Sequence, residues 1–170
     1  MDITVDDPSR ITVGYVGEPG DRMFLLEVED ERQRVQFLLE KAQVAGIGDL
    51  FGQLLARIGD RPPTDWDRDA MALAPPFQPV WRVGAIAAGL DPEARRFVLE
   101  LTEFVAEEEG EGEGRTARLG CDQDQARRLA AHAAAIVAEG RPRCRLCGRP
   151  VERDGSHVCP ARNGHGPLTV

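Results

Sequence analysis

The sequence predicts an α+β protein. It reads as two strand-strand-strand-helix units forming antiparallel sheet with two packed helices, plus a small C-terminal zinc knuckle. Three observations predict this. Apolar positions alternate with period two as far as Leu39, and from Val44 they take helical spacing. The same order of patterns recurs beyond a proline-rich stretch, a pseudo-repeat. Three of the four cysteines then fall between Cys144 and Cys159. The expected units span about 9–59 and 78–140, joined by 60–77, so a body of 1–140 precedes a tail of 141–170.

In the first unit, residues 10–16 (RITVGYV) alternate Ile11, Val13 and Tyr15 with smaller or polar neighbours, a strand signal. Gly17-Glu18-Pro19-Gly20-Asp21 is a turn, with proline fixing φ and Gly20 free to take a positive one. Residues 22–29 return as a second strand. After Asp30-Glu31, residues 33–40 form a third, with Val35, Phe37 and Leu39 on one face. Val44, Ile47, Phe51, Leu54, Leu55 and Ile58 make the stripe of a helix that Gly59 can stop, and Glu40 is placed to cap it.

Residues 59–79 hold five of the twelve prolines and read as a linker or a long wrapped loop, pinned to the body by Trp66. In the second unit, residues 80–88 are a strand, 89–93 a turn and 96–105 the returning strand. Glu107–Gly114 (EEEGEGEG) alternates like charges with glycine and is expected to be a mobile hairpin tip. Residues 115–121 form a shorter strand ending at Cys121, a small buried apolar residue. Asp122 with Gln125 has the capping-box spacing. Ala126, Leu129, Ala130, Ala133, Ile136 and Val137 form the stripe of the second helix, His132 borders it in a packing role, and Gly140 ends it.

The tail reads CRLCGRPVERDGSHVC. Cys144-x-x-Cys147-Gly148 has the form of a zinc knuckle, in which two thiolates two residues apart grip one ion while glycine lets the backbone turn beneath them. After an arm containing the turn signal Asp154-Gly155, His157 and Cys159 would return as the other ligands. A closed Cys₃His set leaves no open position for substrate, so the expected role of Zn²⁺ is structural. A disulfide and a redox CxxC are the competing readings. Met1–Asp6 has neither a basic start nor an apolar core, so a cytoplasmic setting is expected, and that disfavours disulfides. Pro142 and Pro150 flank the motif where a redox CxxC would need a helix start. His-x-Cys is an unusual spacing, and His165 is an alternative fourth ligand.

Charge divides the chain. The net charge is −8, yet residues 140–170 carry six arginines against Glu152 and Asp154, leaving −12 on residues 1–139. An acidic body argues against wholesale nucleic-acid binding and permits local anion binding by the tail. The tail has no aromatic residue on which a base could stack. Hydrophobic residues make up 42 % of the chain, and no run approaches the ~18 apolar residues of a membrane span. Lys41 is the single lysine, and the arginine- and alanine-rich usage suggests a high-GC bacterial genome.

Several stretches, taken in order, resemble an actinobacterial family defined as a domain of unknown function. They are Asp7-Pro8-Ser9-Arg10, residues 17–24, Glu40–Val44, Arg82-Val83-Gly84, Gly140-Arg141-Pro142, and the tail from Cys144 through Cys159-Pro160 to Asn163-Gly164. This chain departs where Ser156 separates Gly155 from His157, and where the arginine after Pro160 stands at Arg162. The resemblance implies a metal-bearing C terminus. It also implies genes lying near a histidine-phosphatase-like and a lipid-kinase-like protein, a hint of phosphate chemistry, and it supplies no activity.

The body contains no P-loop, nucleophile elbow, HExxH or GxGxxG. The candidate ligand-binding residues are Arg10, Arg22, Lys41, Gln43 and Arg82. One reading pairs Arg82 with Glu100 across strands. A sharper one groups Arg82 and Arg22 at the start of the first helix, where free N–H groups favour an anion. Three functions follow: a non-enzymatic adaptor or regulatory protein that binds a protein or phospho-ligand, recognising an acidic or phosphorylated partner; an enzyme acting on a phosphorylated substrate through that arginine pocket; or a weak nucleic-acid binder using the tail.

Overall fold

A computed structural model describes residues 2–18, 20–91, 93, 94, 96–106, 114–139, 144–147 and 159. The fold is α+β, with two sheets and two helices among the described residues. β2 (Arg10–Val16), β3 (Met23–Glu29) and β4 (Arg34–Leu39) form one antiparallel sheet, followed by α1 (Lys41–Arg57). β5 (Val83–Asp91), β6 (Arg96–Glu103) and β7 (Thr116–Cys121) form the antiparallel part of the other, followed by α2 (Gln123–Ala138). A strand that the sequence pattern did not reveal, β1 (Ile3–Val5), joins the second sheet by pairing parallel with β7, Ile3 opposite Ala117.

Alternation puts Ile11, Val28 and Val35 in one row of the first sheet and Val13, Leu26 and Phe37 in the next, all facing the core. Phe97, Leu99, Leu101, Ala117, Leu119 and Cys121 line the core face of the second sheet. The apolar stripes of both helices fill the space between. The helices approach closely at Gly48, where a Cβ would sit 3.3 Å from that of Ala133. Asp122 caps α2 as expected, accepting from the Gln125 N–H at 2.7 Å while Gln125 accepts from the Asp122 N–H at 3.0 Å.

The opposite face of the first sheet is also covered. The adjacent positions Thr12, Glu27 and Gln36 form a polar row across β2, β3 and β4, and they are only 0 %, 1 % and 4 % exposed. The proline-rich segment lies over this row and takes its hydrogen bonds. Thr12 Oγ1 donates to the Met71 carbonyl at 2.6 Å, Gln36 Nε2 to that of Ala74 at 3.1 Å, and the Gln78 N–H donates to Gln36 Oε1 at 2.8 Å. Buried polar groups need such partners, and here backbone groups of a segment outside both sheets supply them. The wrapped loop is therefore a strap.

Residues 80–82, expected to open the first strand of the second unit, lie beside the first sheet instead. The Val80 N–H donates to the Gln36 carbonyl at 2.8 Å and the Leu38 N–H to that of Trp81 at 2.9 Å, with Arg82 bridging parallel to Leu38. The chain thus runs along β4 before it crosses into the second sheet as β5. This moves the strand start from Val80 to Val83 and the turn beyond Asp91. The expected Arg82–Glu100 pair does not form: Ala87 and Arg118 are the cross-strand neighbours of Glu100. Gly140 and most of the acidic tip 107–114 lie outside the described residues, which resume at Gly114.

Candidate metal centre

Beyond α2 the described tail consists of Cys144–Cys147 and Cys159. Residues 145–147 form a turn that folds Cys147 back toward Cys144, and the Leu146 N–H donates to Cys144 Sγ at 3.4 Å. The sequence reason is the two-residue spacing, which brings both sulfurs to the inside of one tight turn. Cys144 and Cys159 are buried, and their sulfurs stand 3.9 Å apart. The sulfurs of Cys144, Cys147 and Cys159 all lie within 4.8 Å of one another, so the three can hold a metal ion. Backbone N–H groups of Cys147 and then Leu146 pull the Cys144 thiol below its ordinary range, toward the thiolate that binds metals. Leu146, at the outer point of the turn, is 62 % exposed. His157 and His165 lie outside the described residues.

Cys121 is the chemical opposite. Sealed at the end of β7, its thiol is pushed up to about 12, first by burial and then by Asp122. It is inert packing, as the sequence suggested.

The body candidates are dispersed. The Arg10 guanidinium pairs with the buried Glu27 carboxylate and donates to the Ala72 carbonyl at 2.7 Å, which ties it into the strap. Arg22 lies over the Tyr15 ring at 3.7 Å and donates to the Glu139 carbonyl at 2.7 Å, a cation closing the C-terminal end of α2. Arg82 pairs with Glu40 at 2.6 Å and stands over Phe104 at 5.1 Å. Gln43 accepts from the Glu40 N–H at 2.8 Å and donates to the Val83 carbonyl at 2.9 Å. Lys41 is exposed at the helix start beside them. The structure thus gathers Glu40, Lys41, Gln43 and Arg82, and leaves Arg10 and Arg22 elsewhere. Glu40 already takes the place at the start of α1 that an anion would need.

Sequence reasoning missed the group that fixes the exit of α2. Tyr15 donates to the Glu139 carboxylate at 3.1 Å, and Arg68 pairs with it at 3.4 Å. These residues come from β2, the strap and the helix end, too far apart in sequence for any local signal. A cleft of about 500 Å³, lined by Ala87–Asp91, Val98, Glu100 and Arg118, and one of about 630 Å³ between 4–9 and 30–32 contain none of the candidate residues.

A family model described as "Protein of unknown function (DUF3090)" matches residues 4–159, a span that ends on the last of the three clustered cysteines. Neither a curated protein nor a solved structure matches the chain.

Proposed function

We propose that this chain, which belongs to the family of proteins of unknown function DUF3090, is a zinc-binding, non-enzymatic adaptor or regulatory protein that recognises an acidic or phosphorylated partner through its tail. The observation that carries the zinc reading is the sulfur geometry. Zinc–sulfur bonds of about 2.3 Å at tetrahedral angles set sulfurs about 3.8 Å apart, and Cys144 and Cys159 stand at 3.9 Å. Cys144, Cys147 and Cys159 would hold the ion, with His157 as the fourth ligand. Zinc there would act as a structural cross-link.

The arginines support the choice of partner. Arg141, Arg143, Arg145, Arg149, Arg153 and Arg162 surround the ligands in sequence. Guanidinium groups favour planar, bidentate contact with carboxylate or phosphate. An enzyme using an arginine-lined pocket would need Arg22 and Arg82 on one ligand. Their partners are instead the end of α2 and the start of α1.

Elemental analysis of freshly purified protein tests the reading, with one zinc per chain expected and loss of that zinc in Cys144→Ser and Cys147→Ser. Zinc-free protein would overturn it. His157→Ala should weaken binding while His165→Ala leaves it intact. Pull-down from a native host with and without residues 141–170 tests the partner, which should be captured only by the full chain.

A further inference from the structure

The second sheet has two edges. One is β1, three residues long, and the other is β5, nine residues long. Gln43 occupies the carbonyls of Val83 and Gly84, and the ladder to β6 is irregular between Val83 and Ala85. Beyond that point, over Ala85–Leu90, nothing among the described residues pairs with the outer side of β5. Edge strands are normally protected by charged side chains, proline or extreme shortness. Residues 85–90 read AIAAGL and contain none of these.

We propose that β5 pairs antiparallel with β5 of a second copy of this chain across a two-fold axis, fusing two four-stranded sheets into one of eight strands. A two-fold pairing requires a strand complementary to itself, because each residue meets its mirror in the register. With the axis at Ala88, Ile86 stands opposite Leu90, and Ala87 opposite Gly89. Ile86 is a half-buried member of the core rim, and Leu90 is an apolar side chain 37 % exposed on the same face. The pairing covers that exposed leucine twice, once at each end.

Charge selects this orientation. The open end of β5 carries Arg82, paired with Glu40, and the exposed Lys41; its hairpin end carries Asp91, paired with Arg118, and the exposed Glu93, so the net charge is basic at one end and acidic at the other. Antiparallel pairing sets the basic end of each copy against the acidic end of the other. Parallel pairing would set like against like. Backbone hydrogen bonds supply the attraction, and the alternating side chains and end charges set the register. Ala87 and Gly89 add little bulk to the other face, so the cleft they line with Val98 and Arg118 would continue across the axis as one trough. This pairing does not depend on the metal centre.

Sedimentation equilibrium on the full chain over a concentration series tests it. The expected species has twice the 18.6 kDa of one chain. Leu90→Arg places two cations against Ile86 and should return the protein to single chains with its circular dichroism unchanged. Arg82→Glu should raise the dimer dissociation constant about tenfold or more, and adding Glu93→Arg should restore it. Single chains at every concentration would overturn the pairing. A dimer indifferent to both Leu90→Arg and the charge reversal would overturn it as well. If Leu90→Arg does not fold, the reversal and its rescue decide.

Discussion

Glu27 is the acceptor on which three parts of the chain converge. Arg10 and Gln36 donate to its carboxylate from neighbouring strands, and the Ala74 N–H reaches it from the strap at 3.4 Å. Glu27→Ala would leave those donors unmatched beneath the strap. We expect a loss of about 2–3 kcal/mol, because Arg10 keeps some access to water. Glu27→Gln should cost less, and urea midpoints compare the two. His132 offers a second test at this scale. Its Nδ1 accepts from the Trp66 indole N–H at 3.2 Å, so it must stay unprotonated. Burial, and then the charge of Arg68, hold its pKa below the ordinary value. The unfolded chain therefore takes up the proton first as pH falls. The contribution of this group is complete above about pH 6.5 and is lost as pH drops from there through the lowered folded value. In stability measured against pH, the wild type should show a steeper decline on the acid side than His132→Asn. The sequence placed Trp66 and His132 correctly as a pin and a packing residue. It did not show that they pin each other, because 66 positions separate them.

At the scale of elements, the strap depends on a missing side chain. A Cβ on Gly14 would stand 2.6 Å from Leu73 Cγ, so Gly14 is the slot into which Leu73 fits. Gly14→Val should cost about 1–3 kcal/mol by overpacking and should loosen the strap. Limited proteolysis is expected to cut within 60–79 in that variant and not in the wild type. The strands and helices themselves were legible because periods of two and 3.6 survive errors at their ends. Arg82 shows where that legibility stops. It sits in an apolar run that reads as one strand, VWRVGAIAA. The run serves two sheets in succession, and only Leu38 and Gln36, some forty positions earlier, decide where it changes allegiance. β1 was illegible for a simpler reason: three residues carry no measurable period.

At the scale of the whole molecule, the buried core joins both sheets and both helices, and the clustered cysteines form a separate small group. A chain truncated after Glu139 should therefore keep a single cooperative thermal transition. Its loss would show that the tail helps to hold the core. The charge split makes the other prediction at this scale. Fluorescence anisotropy with mixed duplex and single-stranded oligonucleotides at about 0.15 M salt should report weak, non-selective binding, since a body of charge −12 repels a polyanion that the six tail arginines attract. Tight, sequence-selective binding would overturn the adaptor reading. The cysteine cluster was legible from spacing, and the structure brings Cys159 back to the Cys144 turn as that spacing predicts. A partner is not legible in the same way, because guanidinium groups meet any acidic surface alike.

The parallel pairing of β1 with β7 also sets an order of events during synthesis. Residues 3–5 leave the ribosome well before residues 117–119, which their ladder needs. The hairpins of the first sheet join neighbours and can close as soon as Leu39 emerges. The N-terminal strand must wait, unpaired, through more than a hundred further additions, and local contacts form before distant ones. Ribosome-bound chains stalled soon after α1 has emerged should thus show a protected first sheet with residues 2–6 still open to protease, and chains stalled after α2 has cleared the exit tunnel should show both protected.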